Sequence, residues 1–112
     1  MRWLMTYTPA NPNPSPEHHA AIGAYAAEST RAGILLDTGT LEANGQWVKQ
    51  SKGKHSLTDG PFPETKEMIV GYAIINAATR EEAIGHARTF LSIAGDGEVE
   101  IRRLAGPGDF AH

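Results

Sequence analysis

Cysteine is absent from the 112 residues, which removes disulfides, thiolate metal ligands and a thiol nucleophile together. Long apolar runs are missing too; none approaches the ~20 residues that span a bilayer. The opening Met1-Arg2-Trp3-Leu4-Met5 runs straight into polar, proline-rich sequence. The expectation is therefore a chain without a leader peptide and with a cytoplasmic location. Charge of one sign is also scarce. Ten Lys and Arg against thirteen Asp and Glu leave a net charge of -3, which gives no attraction for nucleic acid or an anionic membrane. No GxGxxG, GxxxxGK[ST] or Gly-x-Ser-x-Gly pattern occurs, so phosphate loops and a nucleophile elbow are not expected. His18, His19, His55, His86 and His112 form no HExxH or other helical ligand pair. Neither a metal nor a cofactor is expected.

What is present is an ordinary globular composition. Hydrophobic residues make up 40% and the mean hydropathy is -0.35, which at this length fits one domain spanning residues 1–112. Trp3 to Tyr7 reads as a first strand that enters a loop at Asn11-Pro12-Asn13-Pro14. Ser15 is placed to cap a helix that begins at Pro16, with Glu17 near its positive end. Ile22, Tyr25, Ala26 and Ser29 share one helical stripe, and Ala32-Gly33 closes the helix. A second strand opens at Ile34 and continues to Leu41. Gln46–Gln50 and Lys54–Thr58 flank Ser51-Lys52-Gly53 as a hairpin. Met68 to Ile75 is nearly all apolar, as in a covered central strand. Thr79 and Glu82 have the spacing of a capping box. Ala83, Ile84, Ala87, Phe90 and Leu91 then form a helical stripe, which leaves His86 facing solvent. Gly95-Asp96-Gly97 breaks the chain before an alternating last strand, Val99 to Leu104. The Gly/Pro-rich tail, 105–112, is expected to be flexible or to dock at a dimer interface.

The densest feature lies between the hairpin and the apolar strand, at Thr58-Asp59-Gly60-Pro61-Phe62-Pro63-Glu64-Thr65-Lys66-Glu67. Together with Gly71-Tyr72, this run resembles the signature of the YCII-related family, also called DGPF-domain proteins. Ser15-Pro16-Glu17, Arg31-Ala32-Gly33 and Arg80-Glu81-Glu82-Ala83 extend the resemblance over almost the whole chain. The element order alone predicts two βαβ units folded into a ferredoxin-like α+β sheet with an inserted hairpin. One sheet face would be left open with Trp47, Tyr72 and strand aliphatics on it, so a homodimer is expected. The resemblance implies the same: ferredoxin-like domains that pair into a dimeric α/β barrel.

Asp59 can act as a base or orient a histidine; its carboxylate can equally shape an Asx turn. His18 and His19 occupy the first turn of the first helix, and both lean toward Ile22. The resemblance implies a His-Asp pair in the YCII branch, and Pro16-Glu17-His18 matches its histidine position. The expected catalytic pair is thus His18 and Asp59. Asp37, Thr58, Phe62, Glu64, Lys66 and Tyr72 are the expected substrate contacts. The resemblance implies a glutamate, in many relatives, where this chain has Gly39; this chain either lacks that carboxylate or uses Asp37 instead. Two functional readings follow. One is a small-molecule binding or enzyme-like protein that performs proton transfer of the lyase or isomerase type in a dimer-barrel cleft. The other is a non-catalytic sensing or protein-contact module, since DGPF domains resemble accessory domains found beside extracytoplasmic-function sigma factors.

Overall fold

The computed structural model describes residues 1–10, 16–42, 45–59 and 69–106. Its elements run β1 (Arg2–Pro9), α1 (Pro16–Arg31), β2 (Leu35–Thr40), β3 (Gln46–Ser51), β4 (Lys54–Asp59), β5 (Gly71–Asn76), α2 (Arg80–Ala94) and β6 (Gly97–Arg103). Asn11 to Ser15, Gly60 to Met68 and 107–112 lie outside the described residues, so the expected first loop and N-cap, most of the dense loop and all of the tail beyond Gly106 do too.

Four strands form an antiparallel sheet in the order β2-β5-β1-β6. Because β5 is antiparallel to both β1 and β2, those two run parallel and α1 crosses between them. In the same way β5 and β6 flank β1, and α2 joins them. The result is an α+β fold of two interleaved βαβ units. Strand alternation sorts the side chains into two faces. Trp3, Met5 and Tyr7 sit in register with Ile75, Ala73 and Gly71 on one side and with Arg103, Ile101 and Val99 on the other. Trp3, Met5 and Ile75 from this row are buried with Ala77, Ala83 and Ala87 to make the core. The alternate row, Leu4 and Thr6 with Ile74, Tyr72, Arg102 and Glu100, forms the opposite face.

Trp3 anchors the core in three ways. Its ring is 2% exposed, its Nε1–H donates to the Ala77 carbonyl at 3.1 Å, and the Arg80 guanidinium stacks 5.2 Å over it. The last contact covers an apolar ring with a cation whose head stays in water.

Both helices end as their residues demand. Gly33, at φ +76°, lets Ile34 N–H reach Ser29 O and Gly33 N–H reach Thr30 O, the paired bonds of a Schellman motif. At the start of α2, Thr79 Oγ1 accepts the Glu82 N–H at 3.2 Å. Glu82 Oε2 accepts from Ala78 N–H at 2.9 Å, one residue further upstream than a standard capping box reaches.

Four expectations need correction. His86 is half-buried, because it lies three residues after Ala83 and four before Phe90 and so flanks the buried stripe next to α1. The hairpin turn is two residues long, since Ser51 pairs with Lys54; Lys52 and Gly53 both take positive φ, 51° and 77°, as a type I′ turn requires. Strand β5 begins only at Gly71. The Val70 amide donates instead to Tyr7 O, and Val70 O accepts from the Leu41 amide.

The β3–β4 hairpin forms its own two-stranded sheet, and each of its strand residues is exposed. Trp47 is therefore on the hairpin and not on the open face of the main sheet. Lys49 Nζ lies 4.8 Å from the centre of its ring.

Candidate functional site

Two groupings of side chains carry chemical potential, one on each face of the four-stranded sheet. The first is built by a β-bulge. Leu35 pairs with Ile75 and Asp37 with Ile74, so Leu36 is an extra residue in β2. Regular alternation would turn Asp37 the same way as Leu35, toward the helices. The bulge brings it to the open face beside Tyr72.

There Tyr72 Oη donates to Asp37 Oδ2 at 2.9 Å. Asp37 Oδ1 accepts the Thr38 N–H at 2.9 Å, so both carboxylate oxygens are engaged. Thr38 Oγ1 donates in turn to the Tyr72 carbonyl at 2.8 Å. Gly39, paired with Tyr72, leaves room for the ring: a Cβ there would stand 2.8 Å from Tyr72 Cε1. Donation to the carboxylate raises the Tyr72 phenol above its ordinary 10.0, with desolvation and the Asp37 charge adding in the same direction.

The second grouping is a cavity of about 560 Å³ between the helices and the helix-facing side of the sheet. Strands β1 and β6 contribute Met5, Tyr7 and Val99; α1 contributes His19 and Ile22; α2 contributes Phe90 and Ala94. Thr38, Thr40, Gly71 and Tyr72 reach it from β2 and β5. Tyr7 and Phe90 meet edge to face, with centroids 5.0 Å apart and planes at 84°. The Tyr7 hydroxyl donates to Gly95 O at 3.3 Å and faces Asp96 O at 3.4 Å, which ties the ring to the turn after α2. Burial, then the Asp96 charge, pushes this phenol above its ordinary 10.0. A smaller void of about 80 Å³ lies alongside, under Tyr25, Ser29 and His86.

The structure brings together Asp37 and Tyr72 from the expected site residues. His18 points instead toward the end of α2, where a Cβ built on Gly95 would stand 3.5 Å from its Cε1. Thr58 and Asp59 lie on β4 opposite Trp47 and Gln46. Neither His18 nor Asp59 lines either cavity. Phe62, Glu64 and Lys66 lie outside the described residues. His19 lines the larger cavity because it shares a helical face with Ile22, three residues on; His18 is rotated by one residue around the helix. Tyr7, Thr40 and Phe90 carried no functional signal in the sequence beyond strand and stripe positions. Among the described residues no three His, Asp or Glu side chains gather as a metal site, and no helix is long and apolar enough to cross a membrane.

Comparison with known proteins gives three results. The model of the YCII-related domain family matches residues 1–105. An uncharacterised protein of Rhizobium meliloti (strain 1021) is 37% identical over 59 residues, covering 52% of this chain and 48% of that protein. The match thus spans about half the length of the curated relative. A solved structure, 5-chloro-2-hydroxyhydroquinone dehydrochlorinase from Burkholderia phenoliruptrix AC1100 in complex with 2,5-dihydroxybenzoquinone, is similar with a TM-score of 0.49 and 16% identity. That alignment covers 97% of this chain and 98% of the other. By the match over residues 1–105, the chain belongs to the YCII-related family.

Proposed function

We propose that this YCII-related protein binds a small, largely apolar molecule with one polar group, in the cavity between the helices and the sheet. The observation that carries this reading is the cavity itself. Its volume of about 560 Å³ falls within the ~300–1,000 Å³ usual for ligand pockets. Its walls combine the Tyr7–Phe90 pair and aliphatics with a few polar groups, His19, Thr38 and Thr40. A flat ring suits the aromatic wall, and a hydroxyl or carboxylate on that ring suits the imidazole and the threonine hydroxyls.

Histidine is the side-chain type suited to proton exchange near neutral pH, and among the described residues His19 is the histidine that lines this cavity. Lyase- or isomerase-type proton transfer at this place would fall to His19 as base. His18 and Asp59 have no place in that chemistry at this cavity, since neither is among the described residues that line it. The strand order β2-β5-β1-β6 supports reading the protomer as a ferredoxin-like unit. The sheet face turned away from both helices, with Leu4, Ile74 and Tyr72 across its centre, supports pairing of two units into a dimeric α/β barrel.

Ligand-observed NMR with a panel of monocyclic phenols and aromatic acids tests the binding reading. Thr40→Trp, at an exposed position on the cavity wall, is expected to abolish binding that the unaltered protein shows. Equal binding by the two proteins, or none by either at millimolar ligand, would sink it. The exposed hairpin favours a second reading, a non-catalytic sensing or protein-contact module. That reading expects the His19→Ala protein to keep its ligand affinity, and neither protein to turn the ligand over.

A further inference from the structure

We infer that the ligand of the larger cavity carries a short unbranched alkyl chain, about three or four carbons long, which passes Ile22 and Phe90 into the smaller void. The inference rests on the binding reading above and names the class of ligand. It is an aromatic ring with one polar group and, across the ring from it, an aliphatic tail.

The two voids follow one another in the layer between the helices and the sheet, and three elements pass from one to the other in matching order. Along α1, His19 lines the larger void, Ile22 lines both and Ser29 lines the smaller. Those spacings return to one helical face. Along α2 the order is Ala94, Phe90 and His86, and Phe90 again lines both. In β5 it is Gly71, Ala73 and Ile75, alternate residues on one face of the sheet, with Ala73 shared. Met5 and Thr38 complete the shared wall. The smaller void is thus a continuation of the larger, entered through a neck.

The wall beyond the neck selects the occupant. Carbon makes up nearly all of it, with Ile34, Leu35 and Ile75 lining the end away from the larger cavity. A charged or strongly polar group placed there would lose its hydration for little return. Size sets the length of the chain. An apolar void of ~150 Å³ takes a benzene ring, so one of about 80 Å³ suits about half as many carbons. The neck can yield to a thin chain, because Ile22 and Phe90 are half-buried and Met5 is unbranched and adaptable. The polar groups of the site, His19 and Thr40, line the larger cavity, so the polar end of the ligand stays there.

Isothermal titration of the full chain with phenol and its para-ethyl, para-propyl, para-butyl and para-octyl derivatives tests the tail. Affinity is expected to rise about fourfold with each methylene as far as propyl or butyl, and then to level off. Binding of phenol with no gain from the chain, or with a gain that continues unchanged to octyl, would overturn the tail and leave the cavity reading standing. No binding by any member at millimolar concentration would overturn both. Ala26 lines the smaller void and is not among the described residues lining the larger. Ala26→Leu should therefore leave phenol affinity unchanged and remove the gain with chain length; an equal gain in the two proteins would overturn the tail. A readout that needs no variant is the nuclear Overhauser effect from the terminal methyl of para-butylphenol. It is expected to reach the methyls of Leu35 and Ile75, and cross-peaks to Val99 in place of these would overturn the tail.

Discussion

The Tyr72 hydroxyl reaches the Asp37 carboxylate because Gly39, between them in the pairing, has no side chain to block the ring. A tyrosine that crosses its neighbouring strand in this way is held at three points: its hydroxyl on Asp37, its carbonyl by Thr38, and its ring over a bare backbone. The space over Gly39 is thus filled by an aromatic ring, with the Asp37 carboxylate two residues upstream.

Gly39→Ala should break that pair. Its Cβ would fall 2.8 Å from Tyr72 Cε1, closer than carbon atoms tolerate, so the ring must swing away from Asp37. Tyrosine absorbance followed against pH should show one phenol returning toward its ordinary 10.0. Asp37→Asn should give the same return without the steric cause. A titration curve for Gly39→Ala that superimposes on that of the unaltered protein would remove the argument.

Alkaline pH should weaken the fold through two phenols. Tyr7 and Tyr72 both have folded-state values raised above the ordinary 10.0. Between the unfolded and folded values the unfolded chain binds fewer protons, so stability falls as pH rises. The contribution is fully present below 10.0 and is lost as pH climbs through the folded values. Melting temperatures from neutral pH to about 11 should therefore drop more steeply for the unaltered protein than for Tyr7→Phe/Tyr72→Phe.

Trp3 separates packing from hydrogen bonding. Trp3→Ala empties the centre of the core and should cost about 3–5 kcal/mol, a large share of a total stability of ~5–15 kcal/mol. Trp3→Phe keeps most of the volume but leaves the Ala77 carbonyl without its indole donor, for about 1–3 kcal/mol. Urea unfolding of the two variants should rank them in that order. Equal losses would mean that the hydrogen bond, and not the filled volume, dominates.

Thr79→Ala removes the oxygen that accepts the Glu82 amide and should cost about 1 kcal/mol. Amide exchange should quicken first at Glu82 and in the opening turn of α2. Glu82→Gln should cost less, because an amide oxygen can still accept from Ala78 N–H.

Local rules made most of the fold legible. The Thr79 cap, the Gly33 terminator, the stripes through Ser29 and Ala87 and the alternation of β6 are signals read within one element, and the structure has each of them. The site was harder to read, because it depends on pairings between elements. Nothing in Leu35-Leu36-Asp37 announces a bulge; the shift exists only relative to Ile74 and Ile75. His19 and His18 share the same spacing argument, and only the placement of α1 against Phe90 gives one of them the cavity. The misreading of His86 has the same origin, since a residue at the edge of a stripe is buried or bare according to the neighbouring helix.

The bulge at Leu36 also bears on how the length of this chain can vary. Leu35 opposes Ile75 and Asp37 opposes Ile74, so a chain lacking residue 36 could pair every later residue of β2 as it is paired here. A one-residue deletion inside a strand ordinarily turns all that follows to the wrong face. Here it would straighten the ladder and leave Asp37 beside Tyr72. Position 36 is therefore where an alignment of shorter relatives should open its gap, in the middle of a strand and not in a loop.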